Sequence, residues 1–151
     1  MRYTNAVDIT RPINYACLQE YINELCVNFR FLQNIIIGKS YLGKNINLLK
    51  IGEGERKSIY IGAHHAMEWL TSLILMRFAE TLCKSFTLGE KLYGYDLEYI
   101  FKSRTVYIIP MINPDGSDFF QDKLFHIVFL RKSFPEIIRP LRFCLNFPKK
   151  T

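Results

Sequence analysis

The sequence predicts an α/β fold, a mixed sheet flanked by helices. Two segments, residues 14–29 and 68–86, place apolar residues at helical spacing. Three runs, residues 46–51, 58–63 and 105–112, are short, apolar and rich in β-branched side chains. The second helical segment lies between the second and third of these runs. Strand, helix, strand in that order implies a right-handed crossover onto a parallel neighbour.

Each element has its own signals. In Asn14 to Phe29 the residues Leu18, Tyr21, Ile22, Leu25 and Cys26 recur at helical spacing, and Pro12 just ahead suits a helix start. Ile35-Ile36-Ile37-Gly38-Lys39-Ser40 is a short apolar run ending in a turn. Gly52-Glu53-Gly54-Glu55-Arg56 reads as a turn between Ile46–Ile51 and Ser58–Ala63, which predicts an antiparallel hairpin. In the helix from Glu68 to Phe86, Leu70, Ile74, Phe78 and Leu82 form one apolar face, with Arg77, Glu80, Thr81 and Lys84 elsewhere. Gly89 and Gly94 mark the loop beyond it. Thr105 to Ile112 is almost continuously apolar, as in a buried strand. Asn113-Pro114-Asp115-Gly116 fits a type I turn.

Composition excludes several classes. The chain has 151 residues, 49% hydrophobic and 23% charged, enough for one globular domain. No apolar run approaches the roughly 20 residues of a membrane span, and Met1-Arg2-Tyr3-Thr4-Asn5 has no apolar leader region, which points to the cytoplasm. Cys17, Cys26, Cys83 and Cys144 form no C-x-x-C pair, so reduced thiols are expected rather than a cysteine metal site. The net charge of +6 divides into +1 over residues 1–120 and +5 over 121–151. The body carries no basic stripe, so a nucleic-acid partner is not expected. No glycine follows Gly116, and Pro135, Pro140 and Pro148 interrupt the basic end. Residues 1–118 therefore read as a patterned domain portion, and 119–151 as an unpatterned basic tail, either divergent or read from a shifted frame.

The chemistry lies in Gly62-Ala63-His64-His65-Ala66-Met67-Glu68-Trp69, where a strand hands over to a helix. Ligands collect outside the carboxyl ends of strands in α/β sheets. His65 and Glu68, three residues apart, can converge there, and imidazole nitrogen and carboxylate oxygen are both zinc ligands. An H-x-x-E pair alone is weak, since a lone histidine at a strand end is more often structural.

The surrounding residues make it specific. Gly62 to Trp69 resembles the G-x-H-A-R-E-W zinc motif of the zinc carboxypeptidase family. Ile37-Gly38-Lys39-Ser40-Tyr41-Leu42-Gly43-Lys44-Asn45-Ile46 is similar to that family's opening strand. Tyr107-Ile108-Ile109-Pro110-Met111-Ile112-Asn113-Pro114-Asp115-Gly116 is similar to its P-x-x-N-P-D-G strand and turn. The three blocks, over residues 8–118, are closest to the bacterial branch that acts on γ-D-glutamyl–diamino acid bonds of cell-wall peptides. The resemblance implies a partial zinc carboxypeptidase-like fold, a Zn2+ cofactor held by His65 and Glu68, and a peptide substrate.

It also implies a third histidine ligand and a catalytic glutamate beyond residue 151. The chain is then a truncated, N-terminal part of the domain, with no general base of its own and no activity alone. Truncation predicts an unpaired apolar edge at Thr105–Ile112. His126, the one histidine after the motif, has no family context, and Met67 stands where the common motif has arginine. His64 is expected beside the site, Trp69 in the helix core and Asp115 in the turn. Two alternatives stand beside a peptidase: a non-catalytic remnant that binds metal or peptide weakly, and a related zinc amidase or deacylase.

Overall fold

A computed structural model describes residues 6–121. Asn14 starts the first helix, α1 (Tyr15–Asn28), by accepting a hydrogen bond from the Cys17 amide at 2.9 Å. Leu18, Tyr21, Ile22 and Leu25 form its buried face, as their spacing predicts. Each such side chain contributes roughly 1.5–3 kcal/mol through burial.

Two strands follow, β1 (Gln33–Lys39) and β2 (Asn45–Ile51), paired antiparallel through a turn in which Gly43 takes φ +82°. The Ile35–Ile37 run is thus a strand in its own right, and the register shifts between Ile36 and Gly38. Along β2 the buried residues alternate, Asn47, Leu49 and Ile51, so one face points inward.

Next come β3 (Arg56–Ile61), α2 (Trp69–Leu88), α3 (Leu97–Ser103) and β4 (Arg104–Ile109). The sheet order is β1-β2-β4-β3, with β4 antiparallel to β2 and parallel to β3. The expected α/β architecture is present, and the β3–α2–α3–β4 segment makes the predicted parallel connection. The predicted β2–β3 hairpin does not form, because β4 inserts between these two strands. Gly52-Glu53-Gly54 is a crossing loop rather than a hairpin turn. Its glycines are required by close approach: a Cβ on Gly52 would lie 2.4 Å from the Arg104 carbonyl oxygen, and one on Gly54 1.9 Å from the Ser103 carbonyl carbon. The Thr105 hydroxyl donates to the Gly54 carbonyl at 2.7 Å and ties the loop to β4.

Placing β4 inside the sheet also overturns the expected open edge at Thr105–Ile112. Thr105, Val106, Ile108 and Ile109 are buried between neighbours. The outer strands of the described sheet are β1 and β3, and on β3 Ile59, Tyr60 and Ile61 are 58%, 43% and 39% exposed.

Helix α2 is rotated from the predicted face. Leu73, Met76, Ala79, Glu80 and Cys83 are buried with Leu82, whereas Leu70 and Ile74 are exposed. Phe78 packs edge-on against Tyr60, with ring centroids 5.4 Å apart. Glu80 belongs to the inner face because its carboxylate is paired there by Arg77 (2.7 Å), Lys84 (3.0 Å) and the Ala6 amide (2.6 Å). The short helix α3, capped by Asp96, carried no signal long enough to be read in advance.

The described cysteines, Cys17, Cys26 and Cys83, are unpaired, and burial pushes the Cys83 thiol up to about 12. No helix of the described residues is long and apolar enough to cross a membrane. Residues 122–151 of the basic tail, His126 and Cys144 among them, lie outside the described residues.

Candidate metal centre

The candidate residues sit where the parallel strands β3 and β4 end. Beyond Ile61 the chain turns through Gly62 and Ala63, passes His64 and His65, and enters α2 at Glu68. Gly62 has no room for a side chain: a Cβ would stand 2.7 Å from the Pro110 carbonyl oxygen and 3.2 Å from the Thr71 carbonyl carbon. Ala63 is fully buried and held in the left-handed region at φ +48°.

His65 and Glu68 come together. The His65 Nδ1 lies 2.6 Å from Glu68 Oε1, and the His65 amide donates to Glu68 Oε2 at 3.2 Å. The Glu68 carboxylate, at the N-cap position of α2, makes no capping bond and turns back to His65. The hydrogen bond with the His65 ring, then that with its amide, holds the Glu68 carboxyl below the ordinary carboxylate range. Both side chains reach solvent, at 82% and 40% exposure. Two zinc-competent donor atoms therefore face each other at the carboxyl end of a parallel strand, and their chemistry fits a zinc ion. Among the described residues, no group of three or more His, Cys, Asp or Glu forms around them.

The remaining expectations fall as follows. His64 is exposed, and its backbone carbonyl, rather than its ring, is engaged, accepting from Asn113 Nδ2 at 3.2 Å. Trp69 is partly buried against the core. Met67 is exposed and supplies no cation. Asn113-Pro114-Asp115-Gly116 is more than a turn: residues 114–121 are helical, with Asn113 as cap through its Oδ1 and the Gly116 amide at 3.0 Å.

Asp115 reaches back to the β1–β2 turn, accepting from the Ser40 hydroxyl and the Leu42 amide, each at 2.9 Å. Lys44 joins through Asp118 at 2.6 Å. Burial pulls the Asp115 carboxyl up, but the Leu42 and Ser40 hydrogen bonds and the Lys44 charge together outweigh it and hold it below its usual value. The first and third sequence blocks are thus in contact. A cleft of about 690 Å³, lined in part by Lys50, Gly52, Phe86 and Phe101, lies toward the opposite end of the strands and includes neither His65 nor Glu68.

A model of the family described as zinc carboxypeptidase matches residues 18–132. The chain belongs to the zinc carboxypeptidase family. Among curated relatives, γ-D-glutamyl-L-diamino acid endopeptidase 1 of Lysinibacillus sphaericus is 31% identical over 103 residues, covering 68% of this chain and 26% of its own length. A zinc carboxypeptidase of Saccharothrix mutabilis subsp. capreolus is 30% identical over 117 residues, 70% of this chain and 25% of its own. Solved structures agree on the fold. Bovine thrombin-activatable fibrinolysis inhibitor, in complex with a tick carboxypeptidase inhibitor, superposes with a TM-score of 0.63 at 19% identity, over 75% of this chain and 35% of that one. Carboxypeptidase A of Helicoverpa armigera gives 0.60 at 18% identity, over 78% and 29%. The chain therefore spans about a quarter to a third of the proteins it matches.

Sequence reasoning located the His65–Glu68 pair but missed what holds it. Thr71 accepts from the Ala63 amide at 2.8 Å and donates to the Glu68 carbonyl at 2.7 Å. Its place three residues after Glu68, in the first turn of α2, is the signal that would have found it.

Proposed function

We propose that His65 and Glu68 are two protein ligands of a zinc ion in a carboxypeptidase-type hydrolase of peptide bonds. The observation that carries this is the 2.6 Å approach of His65 Nδ1 to Glu68 Oε1 at the strand end, in a chain whose family is zinc-dependent by its description. Zinc, when bound, supplies an acidified water and polarisation of the scissile carbonyl. This chain's part is to hold both donors on a fixed loop, with the Glu68 carboxylate kept ionised by its His65 partners. The third ligand and the general base that the resemblance implies have no counterpart facing the pair among residues 6–121. Peptide turnover therefore requires more than these residues. The relative that cleaves γ-D-glutamyl–diamino acid bonds by its name supports cell-wall peptides as the substrate class.

Zinc titration of the purified chain against a chromophoric chelator tests the assignment. Binding is expected to be weaker than at a three-ligand site and lost in both His65→Ala and Glu68→Ala. Binding that survives both substitutions unchanged rules the pair out as ligands. A single specific observation favours the second reading, a metal-binding remnant without catalysis: only two donors converge among the described residues. Peptide turnover by residues 1–151 would exclude it.

A further inference from the structure

We infer that Asn113 is a positioning residue for the loop that carries His65 and Glu68. Three consecutive carbonyls of that loop are held from one direction. Gly62 O accepts from the Ile112 amide at 3.0 Å, Ala63 O from the Asn113 amide at 3.1 Å, and His64 O from Asn113 Nδ2 at 3.2 Å. The first two are main-chain bonds beyond the regular end of the β3–β4 ladder. The third cannot be a main-chain bond from the next residue, because Pro114 has no amide hydrogen. The Asn113 side chain supplies the missing donor and carries the clamp one residue further, to the peptide unit that leads into His65.

The carboxamide is itself locked. Its Oδ1 accepts from the Gly116 amide at 3.0 Å, which fixes which end faces His64. Gly116 leaves space for it: a Cβ there would stand 2.6 Å from Nδ2 and 2.9 Å from Oδ1. The helical segment it caps is tied to the β1–β2 turn by Asp115. From the other flank, Thr71 bridges the Ala63 amide and the Glu68 carbonyl. The clamp has strain to resist, since a non-glycine residue with positive φ, such as Ala63, stays in place only when its surroundings hold it. Asn113 touches neither donor side chain and acts through the backbone. Its consequence for metal affinity rests on the zinc assignment above; its hold on the loop does not.

Asn113→Asp and Asn113→Ser separate the two roles of the side chain. Both keep a cap acceptor for Gly116; the Asp carboxylate has no donor for His64 O, and the Ser hydroxyl, although a donor, sits one bond short of the Nδ2 position. Amide hydrogen exchange at His65 and Glu68 is measured on the metal-free chain, with the melting temperature and zinc affinity alongside. The expected result is about tenfold faster exchange at these two amides, the equivalent of one lost hydrogen bond, with little change in melting temperature. Zinc affinity is expected to fall about tenfold, in the range typical of lost outer-shell support.

Wild-type exchange at both amides in the folded Asn113→Asp variant overturns the inference. Faster exchange with zinc affinity unchanged, where His65→Ala abolishes binding, overturns the positioning role while leaving the zinc assignment intact. No His65-dependent zinc binding in the wild type defeats the zinc assignment alone, and exchange at His65 and Glu68 still decides whether Asn113 holds the loop.

Discussion

Replacing Glu80 by alanine tests the buried carboxylate on the inner face of α2. Glu80 is 1% exposed and accepts from Arg77, Lys84 and the Ala6 amide. Breaking one side of a fully buried pair costs about 3–5 kcal/mol, because the opposite charge is left stranded. Here the stranded cations are less confined, with Arg77 at 35% and Lys84 at 17% exposure, and both can partly rehydrate. The Ala6 amide loses its acceptor as well. These considerations place Glu80→Ala near the lower end, about 2–4 kcal/mol.

At this chain length 1 kcal/mol moves the melting temperature by roughly 3 °C, so a fall of about 6–12 °C is expected. Glu80→Gln keeps the shape and the acceptor for Ala6 but not the charge, and should lie between wild type and Glu80→Ala. Urea unfolding followed by circular dichroism reads both variants, with an unchanged slope confirming that stability alone has moved. A midpoint for Glu80→Ala indistinguishable from wild type would refute the buried-charge account. Equal losses in the two variants would show that charge, not hydrogen bonding, is the whole effect.

Two further outcomes follow from the site. Gly62→Ala puts a methyl group 2.7 Å from the Pro110 carbonyl oxygen and 3.2 Å from the Thr71 carbonyl carbon. Backbone on both sides must move, so a loss of about 1–3 kcal/mol in urea unfolding is expected together with weaker zinc binding; a neutral result in both would show that the strand end yields freely. Asp115 has a depressed folded value, so its contribution is present above the unfolded carboxylate value near pH 4 and disappears as pH falls through the lower folded value. Urea midpoints measured downward from about pH 4 should therefore drop more steeply for wild type than for Asp115→Asn, and parallel curves would remove Asp115 from the acid response.

How far the sequence could be read varies with how local the determining interaction is. Helix α1 was legible because its cap, its apolar spacing and its buried face all lie within fifteen residues. The His65–Glu68 pair, three residues apart at a strand-to-helix junction, is equally local, but its reading as a metal site came from the family resemblance of the residues around it and not from its spacing. The strand order was not. Gly52-Glu53-Gly54 has the composition of a hairpin turn, and only the distant Ser103–Arg104 backbone, against which those glycines pack, shows that β4 passes between β2 and β3. The face of α2 failed similarly. Leu70 and Ile74 are apolar and outward-facing, while the inward glutamate is paired by Arg77 and Lys84 on its own helix and met by the Ala6 amide from the far end of the described chain.

The Asn113-Pro114-Asp115-Gly116 block shows how a short motif carries several long-range duties at once. Its turn-like composition was correctly seen, but the composition reports only the helix start. Asn113 caps that start and also holds the His64 carbonyl, 49 residues earlier. Pro114 ends the run of main-chain donors, which is why a side chain must continue it. Asp115 grips the turn between β1 and β2, 75 residues before it at Ser40, and Gly116 makes room for the Asn113 carboxamide. Contacts therefore join the outer blocks to each other and the last block to the segment that carries His65 and Glu68, through the backbone and not through the two donor side chains. Residues 6–121 thus hold a braced frame around a solvent-facing donor pair. Loosening that frame at Asn113 or Gly62 should weaken metal binding without removing a ligand, whereas His65→Ala should remove binding and leave the frame standing.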